Sequence, residues 1–99
     1  MFSIRYTAPA KADLGEIADY LEEEAGSRIA ASVIKRIRSK IKALERDGER
    51  YRVRHEIGEG RRAILIGYYL AFYRIDRETV FVLRILHSAR DIRPEMIGE

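Results

Sequence analysis

Tyr68-Tyr69-Leu70-Ala71-Phe72-Tyr73-Arg74-Ile75, then Asp76-Arg77-Glu78-Thr79, then Val80-Phe81-Val82-Leu83-Arg84-Ile85-Leu86-His87, is the stretch on which the fold turns. Both outer runs are rich in aromatic and β-branched residues, and the polar residues between them read as a tight turn, so the segment is a β-hairpin. A loop of two or four residues sets Ile75 opposite Val80. With strict alternation, one face then carries Tyr68, Leu70, Phe72, Phe81, Leu83, Ile85 and His87, and the other carries Tyr69, Ala71, Tyr73, Ile75, Val80, Val82, Arg84 and Leu86. The first face, richer in Phe and Leu, is the expected core. The second is expected to stay open, an apolar surface with Arg84 opposite Ala71 between Tyr69 and Tyr73, suited to a partner.

Upstream, Arg61–Ile66 is a further strand, separated from the hairpin by a turn at Gly67, and Gly58-Glu59-Gly60 is a turn before it. Arg50–Ile57 alternates Tyr51, Val53 and His55 with charged residues and reads as an edge strand. Phe2–Tyr6 is a short first strand. Thr7 or Ala8 caps a helix with Pro9 in its first turn, and Ala10, Leu14, Ile17, Ala18 and Leu21 form its apolar face. The acids of its first turns suit the positive end of the helix. Gly26 stops it, and Ser27 caps a second helix with a stripe of Ala30, Val33, Ile34, Ile37, Ile41 and Leu44 that ends at Gly48. The short link makes the two helices an antiparallel hairpin.

The order β-α-α-β-β-β defines an α+β fold: an N-terminal strand, then an antiparallel helical hairpin packed on one face of a small antiparallel sheet. Residues 1–99 form one domain. Ile92 to Glu99, with Pro94 and Gly98, reads as a frayed polar tail.

The chain has no cysteine and two histidines, His55 and His87, so neither a disulfide framework nor a typical zinc site is expected, and no other cofactor motif is present. No signal-like or membrane-spanning run is visible, and a cytoplasmic protein is expected. The net charge of +3 is unevenly spread: six acids and no base lie between Asp13 and Glu24, and six bases face one acid between Lys35 and Arg46. The simplest arrangement sets the acidic and basic helices side by side to neutralise each other. The later arginines, Arg50, Arg52, Arg54, Arg61 and Arg62, leave an acidic partner or nucleic acid open.

The one constellation with chemical content is Arg61, Arg62, Arg74, Arg84, His87, Arg90 and Asp91. A ribonuclease working through the 2′-hydroxyl needs a base, an acid and cations on the phosphate, and here His87 could move the proton while arginines hold the phosphate. A structural histidine, and a local Arg90–Asp91 ion pair pinning the chain end, account for the same residues without catalysis.

Ile4-Arg5-Tyr6-Thr7-Ala8-Pro9-Ala10-Lys11-Ala12-Asp13-Leu14-Gly15-Glu16-Ile17-Ala18-Asp19-Tyr20 resembles the N-terminal pattern of ParE-type toxins in the RelE/ParE toxin–antitoxin superfamily. Arg61-Arg62-Ala63-Ile64, Phe72-Tyr73-Arg74-Ile75 and Arg84-Ile85-Leu86-His87-Ser88-Ala89-Arg90-Asp91-Ile92 resemble that family's sheet and its Leu-His-x-x-Arg-Asp ending. The resemblance implies the toxin of a type II module of the plasmid-stabilising kind, neutralised by a ParD-like antitoxin. It implies DNA gyrase as target, inhibited by binding, and DNA contact only through the antitoxin. Target-binding residues are then expected at Arg84, His87, Arg90 and Asp91, with no catalytic residue, and antitoxin contacts at Tyr69, Tyr73 and Arg84. RelE-type relatives instead cut mRNA on the ribosome, using lysines and arginines with a C-terminal tyrosine or similar acid/base group. Here no tyrosine follows Tyr73 and no lysine follows Lys42, so the endoribonuclease is the alternative.

Overall fold

In the computed structural model, which describes residues 1–98, the hairpin closes in the expected register: Ile75 pairs with Val80 and Asp76 with Thr79. Arg77 and Glu78 form the turn, and Arg77 takes a left-handed φ of 56°. The elements are β1 (Ser3–Tyr6), α1 (Ala8–Ala25), α2 (Ser27–Lys42), a short α3 (Leu44–Asp47), β2 (Arg61–Ile66), β3 (Tyr69–Asp76) and β4 (Thr79–His87), with 3-10 turns at His55–Ile57 and Pro94–Met96. The four strands form one sheet in the order β1-β4-β3-β2. β2, β3 and β4 are an antiparallel meander, and β1 lies parallel to β4, making the sheet mixed. The α+β architecture with a helical hairpin on one face is as expected.

Thr7 caps α1: its side chain accepts a hydrogen bond from the Ala10 N–H, with Pro9 in the first turn. Gly26, at φ 93°, ends α1 and is at once the residue preceding α2, so Ser27 is the first residue of α2 and not its cap. Ala10 and Leu14 of α1 and Ile37 and Ile41 of α2 are buried against Ile64, Ile66, Ala71, Tyr73, Val80 and Val82. The helices therefore cover the face expected to be open. Tyr73 is wholly buried, donates its hydroxyl hydrogen to the Gly48 carbonyl at 2.7 Å, and is out of a partner's reach. Tyr69 is buried at the rim of the same core.

The opposite face is sealed by the tail. Ile97, 1% exposed, packs with Ile57, Phe72, Leu83 and Leu86, and Ile92 and Met96 lean on the same cluster. The tail is polar by count, but its apolar residues land in one place. Two arginines hold its backbone: Arg61 donates to the Pro94 carbonyl at 3.0 Å and to that of Gly98, and Arg84 donates to the Met96 carbonyl at 2.6 Å.

Strict alternation fails at a bulge. Phe72 pairs with Arg84 but Tyr73 pairs with Val82, so Leu83 is the extra residue in β4. Every side chain beyond it changes sides. Ile85 joins the core under the helices and Leu86 joins the tail-side core, the reverse of the expected faces.

Arg50–Ile57 is not a strand. The segment makes one backbone bond to β2, from the Arg54 N–H to the Arg61 carbonyl, delivers Ile57 to the tail-side core, and gives its Tyr51 carbonyl, with that of the preceding Glu49, to the Arg62 guanidinium. β2 is the edge strand instead. Nor do the two helices neutralise each other. Among the described residues no ion pair joins α1 to α2; the pairs are Lys42–Glu45, Arg54–Glu56, Arg74–Asp76, Arg84–Asp13 and Arg93–Asp91. The antiparallel run explains this. It sets the acidic end of α1, Asp19–Glu24, beside the start of α2, where Arg28 is the only base. Among the described residues no helix is long and apolar enough to cross a membrane.

Candidate partner-binding groove

β1 ends at Tyr6 opposite Val82, which leaves the second half of β4 without a neighbouring strand on that side. α1 takes its place. The Thr7 N–H donates to the Val82 carbonyl at 3.0 Å and the Thr7 hydroxyl to that of Leu83 at 3.0 Å. Nearly two turns on, Asp13 does what a strand would do. Its carboxylate accepts the Ile85 N–H at 2.9 Å, together with Arg84 Nε at 2.7 Å and Nη2 at 2.9 Å.

Asp13 is 5% exposed and, among the described residues, is the only charged one in the buried set. A buried carboxylate is sustained when its oxygens are met by a bidentate guanidinium and a backbone donor. The hydrogen bonds that Arg84 donates to Asp13 raise the Arg84 pKa above its ordinary value, burial opposes the shift, and the charges of Asp13 and Glu16 add to it. Arg84 thus ties α1 to β4 through Asp13 and ties both to the tail through the Met96 carbonyl. The acid expected to serve the positive end of α1 is used on the sheet edge instead.

Beyond Asp13 the helical hairpin lifts off the sheet and leaves a groove of about 640 Å³. Ile17, Tyr20, Ile29 and Val33 form the helical wall, and Tyr69 and Ile85 are on the sheet side. That volume lies within the range of ordinary binding clefts, roughly 300–1,000 Å³. Among the described residues five large hydrophobic side chains are exposed, and three of them line this one groove: Tyr20 at 59%, Ile29 at 50% and Tyr68 at 75%. Such clustering is what marks an interaction surface; scattered exposed apolar residues are ordinary. The rim is charged by Glu16, Arg36 and Arg90.

His87 stands at the mouth. Its ring is parallel to Tyr68 at 6.1 Å between centroids and meets Tyr69 edge-on at 5.3 Å. Nδ1 accepts the Ala89 N–H at 3.1 Å, which leaves the proton of the neutral ring on Nε2.

Of the residues expected at a target-binding site, the structure brings His87 and Arg90 together in the groove. Arg84 is drawn away to Asp13 and the tail. Asp91 is exposed and pairs with Arg93 at 3.4 Å, so the expected Arg90–Asp91 pair does not form. Of the residues expected to meet an antitoxin, only Tyr69 touches the groove. Arg61, one of the cations suited to a phosphate, is bonded to the Ile57, Pro94 and Gly98 carbonyls. Sequence reasoning missed Asp13, Tyr20 and Ile29. Asp13 did carry a signal, since it lies between Ala10 and Leu14 on the inward phase of α1.

A family model described as the ParE toxin of the type II toxin–antitoxin system parDE matches residues 4–92. Among solved structures, the chain is similar to one from the chromosomal ParDE toxin–antitoxin system of P. aeruginosa, at 25% identity and a TM-score of 0.79, over 88% of this chain and 96% of that one. It is also similar to one from the RelBE2 toxin–antitoxin complex of Mycobacterium tuberculosis, at 29% identity and a TM-score of 0.61, over 87% and 96%. No curated protein matches the chain significantly.

Proposed function

The chain belongs to the ParE toxin family of type II toxin–antitoxin systems, and from that premise we propose that a ParD-like antitoxin silences it by seating an amphipathic segment in the groove, and that the free toxin inhibits DNA gyrase by binding. The observation that carries the antitoxin half is the gathering of Tyr20, Ile29 and Tyr68, all exposed, along one concave surface. An amphipathic helix lays its apolar face into such a groove, and its polar residues meet the charged rim.

Support for binding over catalysis comes from how the polar groups are used. Arg61 and Arg84 are bonded to backbone carbonyls of the tail, Asp13 is bonded to Arg84, and one ring nitrogen of His87 is occupied by a backbone donor. A phosphate-transfer site needs those cations free and a second proton-transfer group within reach of the first. On this reading His87, Arg90 and Asp91, on the exposed end of β4 and the turn after it, meet the target. Arg84 acts indirectly by holding that end and the tail in place.

Two assays test the proposal. The purified chain is expected to stop gyrase supercoiling and to leave labelled mRNA on translating ribosomes intact. Site-specific mRNA cleavage with supercoiling untouched would reverse the assignment in favour of the endoribonuclease, the reading that the RelBE2-like neighbour keeps alive.

A further inference from the structure

α2 carries Arg28, Lys35, Arg36, Arg38, Lys40 and Lys42, all exposed, and no acid. Among the described residues only Lys42 of these is in an ion pair, with Glu45 at 3.3 Å, and Arg38 lies over the Tyr6 ring at 5.7 Å. At about 100° per residue, Arg28, Lys35, Arg38 and Lys42 fall in a single stripe roughly 80° wide, and they run for about 21 Å along the helix axis. The small residue Ala31 lies in the same stripe and Ser39 borders it, and both leave the cations unobstructed. Lys35, Arg38 and Lys42 line a shallow depression of about 700 Å³ that shares no residue with the groove. Two carboxylates are on this side: Glu22, which accepts the Ser27 hydroxyl at 3.3 Å, and Glu45 on Lys42.

We propose that this stripe of α2 is a contact surface for the phosphate backbone of duplex DNA. Among the described residues no acid of α1 forms an ion pair with the stripe, and its four cations outnumber the two carboxylates beside it, so a net positive charge is available to a partner. The cations are arranged in a line. A line suits a polyanion of regular spacing, and duplex DNA carries a charge about every 1.7 Å along its axis, so that about six base pairs pass along the stripe. The stripe holds no aromatic residue, which argues against single strands, whose bases stack on aromatic platforms. It also lacks the Asn and Gln side chains suited to reading adenine edges, and the chain has neither residue type, so the contact proposed is to phosphates, which carry no sequence information directly. The surface adds a toxin-borne contact to the expectation that DNA is touched only through an antitoxin. It does not depend on what fills the groove.

The test is fluorescence anisotropy of the full chain with a labelled 20-base-pair duplex of mixed sequence between about 50 and 200 mM KCl. Four phosphate contacts predict a log–log salt slope near −3.6, or about a hundredfold loss of affinity over that range. Replacing Arg28, Lys35, Arg38 and Lys42 together by Ala, a strong helix former, should remove nearly all of that slope, and Lys35→Ala alone about a quarter of it, to near −2.7. An unchanged slope in the fourfold variant overturns the proposal. So does equal flattening by Arg5→Ala with Lys40→Ala, which alters net charge off the stripe. Displacement of the duplex by polyglutamate at equal charge concentration would overturn it in favour of an acidic protein segment.

Discussion

The two faces of the sheet are covered in different ways. Under the helices, Ile37, Ile41, Tyr73, Val80 and Val82 are sealed by side chains projecting from two full helices. Under the tail, Phe72, Leu83 and Leu86 are sealed by Ile97 and its neighbours on a single pass of chain. The first cover is held by apolar area spread over many turns. The second is held by one well-buried isoleucine and by guanidinium groups on backbone carbonyls. A helical layer is a permanent wall. A strap fastened to carbonyls is a cover that a local fluctuation can lift. The helical cover also supplies one wall of the groove, and the tail is the cover expected to open first.

Asp13 is where the two halves meet, and its loss should have the largest effect. Asp13→Ala leaves the Ile85 N–H without its acceptor and the Arg84 guanidinium half-buried beside no anion. Removing one partner of a buried pair costs about 3–5 kcal/mol. Urea unfolding should report that loss, and hydrogen exchange should report faster opening both in α1 and at Ile97. Unchanged protection of the tail would separate the halves and undo the link through Arg84. Next comes the helical wall: Ile37→Ala in a fully buried position should cost about 3 kcal/mol in one cooperative transition.

The wall was half legible in the sequence. Ala10, Leu14 and Ile17, then Ile37 and Ile41, recur at helical spacing, and Gly26 and Gly67 mark the turns, so the helical hairpin and the strand meander follow from pattern alone. Which face the helices cover did not follow. Both faces are apolar, and Leu83 looks like any other strand residue until its pairing is known. A bulge is a backbone event with no obligatory side chain, so alternation carried past it assigns Arg84, Ile85 and Leu86 to the wrong sides. The Arg50–Ile57 alternation misled for a related reason. Its period suits an edge strand, but the Arg62 guanidinium takes the Tyr51 carbonyl that a ladder would use. Of the site, His87 and Arg90 were legible because the chain concentrates its polar residues where β4 ends. Tyr20 and Ile29 were not, because their exposure depends on how far the hairpin lifts off the sheet.

Tyr73 tests the wall by titration. Burial pushes its hydroxyl up to about 12, against which Arg62 acts weakly, while Tyr51 reinforces the shift. A neutral form favoured by folding is a contribution fully present below the unfolded value near 10 and lost as pH rises through 12. Stability should therefore fall by up to about 2 kcal/mol between pH 10 and 12 on account of this residue. Burial also raises the pKa values of Tyr6 and Tyr69, so the informative quantity is the difference from Tyr73→Phe, which should lack this part of the decline. Equal alkaline losses in the two proteins would mean that Tyr73 ionises without strain.

On the other face, Ile97→Ala removes a side chain as buried as Ile37, yet it should cost only about 1–2 kcal/mol. The reason is the strap. Once docking is lost, the tail detaches while the helical wall stays folded, so the loss is capped by the docking free energy and not by the cavity. Hydrogen exchange should show residues 92–98 opening well below the global unfolding free energy. A cost equal to that of Ile37→Ala would mean that the tail is as integral as the helices, and the contrast between the faces would fall.

The smallest effect on stability is expected at the groove, and it is also the most telling. Tyr20 projects from α1 with 59% of its surface in water, so the fold gains little from it and Tyr20→Ala should alter unfolding by no more than about 0.5 kcal/mol. A partner laying an apolar stripe against Ile29 and Tyr68 would bury that ring, and a buried aromatic anchor is worth about 2 kcal/mol or more at an interface, a thirtyfold weakening of the complex on truncation. Titration of wild type and Tyr20→Ala with a co-expressed antitoxin by calorimetry compares the two numbers directly. A large loss of affinity at constant stability locates the partner on the helical wall. Equal affinities would move it to the tail-covered face, where Ile97→Ala should then bind more tightly than wild type, because the strap that competes for that surface has been loosened.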